Sequence, residues 1–219
     1  MNDMETLERK FGSDSVKFTR GPGGFVCIEV ANAAAKAKIS TYAAHLFDYT
    51  PAGERPVLWM SGSSWFEAGK PIRGGVPVCW PWFGPGAREE LPAHGFARLS
   101  QWEVRAVESF ENGSVTRVVL GHVQQGDIRI DREVDRIYHT TGAVEIFDPG
   151  FNRTIRVEKS GSAATVVWNP WIRKSHAMPD FGDEEYHSMI CVEAANASVD
   201  ARTLFPGEKR RISQTVTVL

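Results

Sequence analysis

A period of two constrains this chain more than any other feature. Short runs of apolar and β-branched residues alternate with polar ones, and Gly, Pro, Asn or Asp closes each run. Val26, Ile28 and Val30 alternate with Cys27 and Glu29. Trp102, Val104 and Ala106 alternate with Gln101, Glu103 and Arg105. Val115, Arg117 and Val119 lie in another such run, and residues 154–157 and 165–168 follow. Near the end, Ile212, Gln214 and Val216 alternate with Ser213 and Thr215. Successive side chains of a strand point to opposite faces, so this pattern predicts half-buried strands rather than helices. Many short strands separated by turn signals predict an all-β sandwich or barrel. Residues 31–38 are rich in alanine, a helix former. The run is short, however, and leads into β-branched Ile39 and Thr41, which favours strand or irregular structure.

The 219 residues suit one domain spanning 1–219, with no repeat or linker to divide it. A net charge of -2 gives no broad attraction to nucleic acid or to an anionic membrane, so any anion site must be local. Cys27, Cys79 and Cys191 are odd in number and scattered, without metal-ligand or disulfide spacing. Residues 1–11 are polar and lack the apolar stretch of a secretion signal, and no apolar run is long enough to span a bilayer. A cytoplasmic protein is expected, with reduced thiols.

Two stretches do not read as routine strands. Residues 70–86, KPIRGGVPVCWPWFGPG, and residues 91–98, LPAHGFAR, are packed with Gly, Pro and aromatics. Such residues fix backbone shapes that others avoid, and site-bearing loops of β-proteins use them. They carry Lys70, Arg73, His94 and Arg98. Two converging arginines would make a fork for a phosphate or carboxylate; singly, each reads as a solvated surface charge. Trp80, Trp82 and Phe83 offer a stacking platform for a sugar, or core packing. Glu193 lies inside the apolar run MICVEAA, where parity places it with Met189 and Cys191. A carboxylate on a buried face would be partly desolvated and suited to act as a base; on an open face it would be an ordinary surface glutamate. No phosphate loop, dinucleotide fingerprint, zinc motif or nucleophile elbow is present, so neither a cofactor nor a metal is expected.

The runs PIRGGVPVCWPWFG, LPAHGFAR, EVDRIY, VEKSGSAATVVWNPW, MPDFGDEEYHSMICVEAAN and FPGEKRRISQTV resemble, in order, those of the hexose-6-phosphate mutarotases of the aldose 1-epimerase group. The resemblance implies a galactose mutarotase-like β-supersandwich, here shortened. It implies interconversion of the anomers of glucose 6-phosphate or a related hexose 6-phosphate, without metal or organic cofactor. By the same resemblance Glu193 is the general base, and His94 lines the sugar site. Arg73 and Arg98 contact the phosphate, and Asp135 binds sugar hydroxyls. Two departures accompany it. Ala93 stands where the family often has a glutamine. Between residues 115–120 and Gly126 several strands are absent, among them those carrying the histidine that usually serves as acid. His94, His122 or His139 is then the candidate replacement, and a sugar-phosphate binder without catalysis is the alternative. Lost strands also leave sheet edges to be covered, which points to a homodimer or a rearranged sheet.

Overall fold

The computed structural model describes residues 3–104, 106–110, 113–114 and 132–219, the last two short strands of its first half by backbone only. The chain divides into two compact units. One comprises Met1–Val115 with Pro179–Phe181; the other comprises Thr116–Met178 with Gly182–Leu219.

The first unit opens with helix α1, Met4–Phe11, which the sequence reading did not anticipate. Its cause is local. The Asp3 carboxylate caps it by accepting the Thr6 N–H at 3.0 Å, and Leu7 supplies its buried contact. Strands β1 (Val16–Arg20), β2 (Val26–Ala31), β3 (Ala35–Ser40) and β4 (His45–Pro51) then form an antiparallel meander in that order. Val30 pairs with Val16 and Ile28 with Phe18, so the alternation in β2 builds one apolar face. That face joins Leu7, Val16, Phe18 and Val26 in a core. The alanine-rich segment becomes β3, as its β-branched continuation suggests, with a bulge between Lys38 and Ile39.

The expected strand at 102–106 does not form among the described residues. Gln101 bridges Tyr42, and the Trp102 N–H reaches the Thr41 carbonyl at 2.9 Å, but no ladder follows. The indole of Trp102 instead donates to the Ala97 carbonyl at 2.9 Å. Val104 and Val107 both pack on the α1 core, a spacing of three that a strand does not offer. The two-residue strands β5 (Ser109–Phe110) and β6 (Gly113–Ser114) pair as a hairpin. The run Val115 to Val119, His122 and Gly126 lie outside the described residues.

The second unit has two three-stranded antiparallel sheets. In the first, β10 (Ala164–Asn169) is central between β7 (Val134–His139) and β11 (Cys191–Ala195). In the second, β9 (Arg153–Ser160) is central between β8 (Val144–Asp148) and β12 (Ser213–Val218). Residues 153, 155, 157 and 159 of β9 are buried in strict alternation, yet the last is a lysine. The Lys159 ammonium donates to the Thr140 carbonyl at 2.6 Å, and burial pulls its pKa down to about 8. Helix α2 (Trp171–Ala177) follows β10. Among the described residues the all-β expectation holds: twelve strands accompany two short α-helices, and no helix is long and apolar enough to cross a membrane.

Candidate functional site

In the first unit, the Gly/Pro stretches make few ladder contacts and are shaped by point bonds. The Tyr42 hydroxyl donates to the Lys70 carbonyl at 2.8 Å. The ring of His45, fully buried, meets the Gly74 carbonyl through Nε2 at 2.8 Å. Gly75 follows at a positive φ of 59°; a β-carbon there would sit 2.7 Å from His45 Nε2. Only glycine fits such a close approach without moving the ring.

Arg73, between these anchors, is held from three sides. Its N–H donates to Ser64 Oγ at 2.8 Å, and its carbonyl accepts the Ser61 N–H at 3.2 Å. Its guanidinium donates through Nε and Nη2 to Asp180, at 3.1 Å and 2.9 Å to Oδ2, and again from Nη2 to Oδ1 at 3.2 Å. Asp180 is buried and Arg73 about a quarter exposed. Lys70, a second candidate cation, pairs with Glu67 at 3.0 Å and lies over the Trp65 ring.

His94 is half-buried with a positive φ of 63°, a conformation histidine tolerates better than most residues but which still marks a constrained position. Its N–H donates to the Gly84 carbonyl at 2.6 Å, and the Gly84 N–H returns a bond to Nδ1 at 3.3 Å. A neutral ring whose Nδ1 accepts carries its proton on Nε2, so the His94 donor is Nε2. Phe83 packs edge-on against it at 4.6 Å. Arg98 reaches back to the Ala93 carbonyl at 2.8 Å, closing the LPAHGFAR loop around His94. Trp80 and Phe96 leave about half their surface exposed, whereas Trp82 and Phe83 are half-buried. The Arg98 charge acts on both Tyr42 and His45, the residues that pin the Arg73 stretch. An open depression of ≈ 470 Å³ lined by Pro85, Arg88, Leu91 and Ala93 borders this loop.

In the second unit, sheet register places the remaining candidates. Glu193 pairs with Val166, which pairs with Ile137; Cys191 pairs with Trp168, which pairs with Asp135. Residues directly opposite in adjacent strands share a face, as do residues two apart. Glu193, Cys191, Trp168 and Asp135 therefore occupy one face of the β11–β10–β7 sheet. Two strand spacings and two residues of rise separate Glu193 and Asp135 by roughly 12 Å at the Cα atoms. Glu193 is half-buried, as are its β11 neighbours 191–194, so it is neither the fully desolvated nor the open surface carboxylate of the two sequence alternatives. Asp135 is more exposed and is not an isolated charge. Lys174 of α2 bonds it at 3.2 Å and Glu133 at 3.1 Å, while facing the Trp168 ring. Although burial alone would lower the Lys174 pKa, these two carboxylates raise it.

The residues that hold these candidates in place were not legible in the sequence. Asp180, His45 and Lys174 were missed. Asp180 sits in a Pro-Asp-Phe-Gly turn that reads as loop chemistry, and neither periodicity nor motif tied it to Arg73. Among the described residues no group of three or more His, Cys, Asp or Glu is placed to hold a metal.

Comparison with known proteins bears on this arrangement. The profile of the family described as aldose 1-epimerase matches residues 26–124 and 114–217. A candidate glucose-6-phosphate 1-epimerase of Salmonella typhimurium is 28% identical, over 84% of this chain and 87% of the relative. A candidate glucose-6-phosphate 1-epimerase of Escherichia coli is 30% identical, over 74% of this chain and 80% of the relative. The crystal structure of a candidate mutarotase (YeaD) from Salmonella typhimurium superposes with a TM-score of 0.82 at 26% identity, covering 94% of each chain. The Salmonella alignment runs over 256 positions, whereas 84% of 219 residues is about 184. At least about 70 positions of that relative therefore lack a counterpart here, and the family match breaks at 114–124. The break falls where the sequence reading put the missing strands.

Proposed function

We propose that this chain, which belongs to the aldose 1-epimerase family, interconverts the α and β anomers of a hexose 6-phosphate by acid–base ring opening. The observation that carries the reading is Glu193. It is a half-buried carboxylate on a sheet face that also holds an indole and a second carboxylate held by Lys174. Glu193 takes the proton of the anomeric hydroxyl, and a donor protonates the ring oxygen as the C1–O5 bond breaks. The open-chain aldehyde rotates about C1–C2, and the reverse transfers close the ring on the other face. His94 is the donor assigned here, because its Nδ1 is occupied by the Gly84 amide and its proton lies on Nε2. Asp135 accepts sugar hydroxyls, and Trp168 offers a flat apolar surface beside it. Arg73 and Arg98 take the phosphate, and the names of the two relatives support glucose 6-phosphate as the substrate.

Polarimetry of freshly dissolved α-glucose 6-phosphate tests this directly. The protein accelerates relaxation over buffer, and Glu193→Gln and His94→Asn each lose ~10²-fold or more, the usual worth of a positioned acid or base. Relaxation at the buffer rate refutes catalysis. The absent 70 positions favour a second reading, a sugar-phosphate binder without turnover. Calorimetric binding of glucose 6-phosphate without accelerated mutarotation selects it.

A further inference from the structure

We propose that Asp180 is a positioning residue for Arg73, fixing the guanidinium so that one edge is reserved for the phosphate of the substrate. The inference rests on the reading of Arg73 as a phosphate ligand and assigns the residue that makes it one.

The geometry is specific. A guanidinium has five N–H donors in a rigid plane. Asp180 engages the side formed by Nε and Nη2, and among the described residues its hydrogen bonds leave out Nη1. The end formed by Nη1 and the second Nη2 hydrogen is the edge that suits a two-toothed bond to a phosphate. A long arginine side chain otherwise samples many rotamers, and ordering it would fall on the binding step. Here the backbone on either side is bonded to Ser64 and Ser61, and the far end is clamped by a buried carboxylate. Asp180 is itself held in place, because the adjacent Phe181 is buried against Trp59 with ring centroids 5.0 Å apart.

A carboxylate near an anion also repels it, and this opposes the effect. The repulsion acts across the width of the guanidinium, whose own charge lies between the two anions. Loss of the clamp instead removes the only fixed orientation of the donor fork. Ordering therefore outweighs repulsion, and neutralising Asp180 weakens phosphate binding rather than strengthening it.

The test is a double-mutant cycle read by calorimetry with glucose 6-phosphate and with inorganic phosphate as probes. Asp180→Asn weakens both by about tenfold, ~1.4 kcal/mol. Arg73→Ala weakens both at least as much, and adding Asp180→Asn to it changes nothing further, since Asp180 acts only through Arg73. Asp180→Glu restores the carboxylate one methylene out of place and recovers part of the affinity. It serves in place of the Asn variant should circular dichroism show that variant unfolded. Tighter binding by Asp180→Asn overturns the proposal, because the carboxylate would then compete with phosphate. An equal loss from Asp180→Asn in the Arg73→Ala background also overturns it, because the role would then be general. If Arg73→Ala leaves both affinities unchanged, the phosphate-site reading itself falls. If Arg73→Ala weakens binding and Asp180→Asn does not, only the positioning role falls.

Discussion

Acid should weaken this protein through one histidine, and the size of the effect follows from where that histidine sits. His45 is fully buried at the start of β4. Burial, the largest influence, drives its pKa down from 6.5 to about 4; the bond to the Gly74 carbonyl opposes this and the Arg98 charge adds to it. The ring has one hydrogen bond, from Nε2, and its Nδ1 finds no partner among the described residues. In the unfolded chain it titrates near the ordinary value. Below about pH 6.5 the unfolded state therefore binds a proton that the folded state refuses. Stability is complete above that pH and is lost as pH falls toward 4, where the folded state also takes up the proton. Linkage at 1.36 kcal/mol per unit gives ~2.5 kcal/mol lost at about pH 4.5, and ~3.4 kcal/mol in the limit. Urea unfolding followed by tryptophan fluorescence at about pH 7 and about pH 4.5 measures it, with His45→Gln as reference. Glutamine keeps a donor for the Gly74 carbonyl and does not titrate. Other groups titrate alike in both proteins, so the difference between their acid losses isolates His45. An equal loss in the variant would refute the assignment.

Two further predictions concern the second unit. Thr165 of β10 is buried with a hydroxyl that has no hydrogen-bond partner among the described residues, so Thr165→Val should stabilise by ~1–2 kcal/mol in urea unfolding. A loss of stability would show that the hydroxyl is in fact bonded. Asp200, also buried, accepts the Ala163 N–H and the Asn196 amide at 2.7 Å each and pairs with Arg202. Burial alone would raise its pKa, but these donors outweigh that and lower it. Its contribution is therefore present above about pH 4 and lost as pH falls through its lowered value. Asp200→Asn should cost ~2 kcal/mol at neutral pH and flatten the acid limb of the stability profile. An unchanged acid limb would discount the network.

Strands were legible wherever alternation met an actual ladder. The Val26–Ile28–Val30 pattern is β2, the runs at 154 and 165 lie in β9 and β10, and the last run lies in β12 from Ser213 onward, with Ile212 just before it. The Trp102 run gave no ladder among its described residues because so short an alternation does not distinguish a strand from a loop whose valines, here Val104 and Val107, pack on a core. Helix α1 was overlooked because its signals, an Asp cap and a single buried leucine, are weak beside its charge.

The site divides in the same way. By itself the sequence determined that Glu193 and Cys191 share a face of β11, because strand parity is a property of the covalent chain; Met189, expected on that face, lies before the strand and reaches Asn169 instead. It also determined that His94 and Arg98 belong to one loop, where Arg98 indeed closes back onto Ala93. Only the tertiary structure paired Arg73 with Asp180, 107 residues away, put His45 beneath Gly74, and put Lys174 beside Asp135. Those are contacts between residues remote in sequence, two of them side chain to side chain and one to a backbone carbonyl. They are selected because a buried charge or ring needs a partner at hydrogen-bond distance, and no local pattern encodes which distant residue provides it.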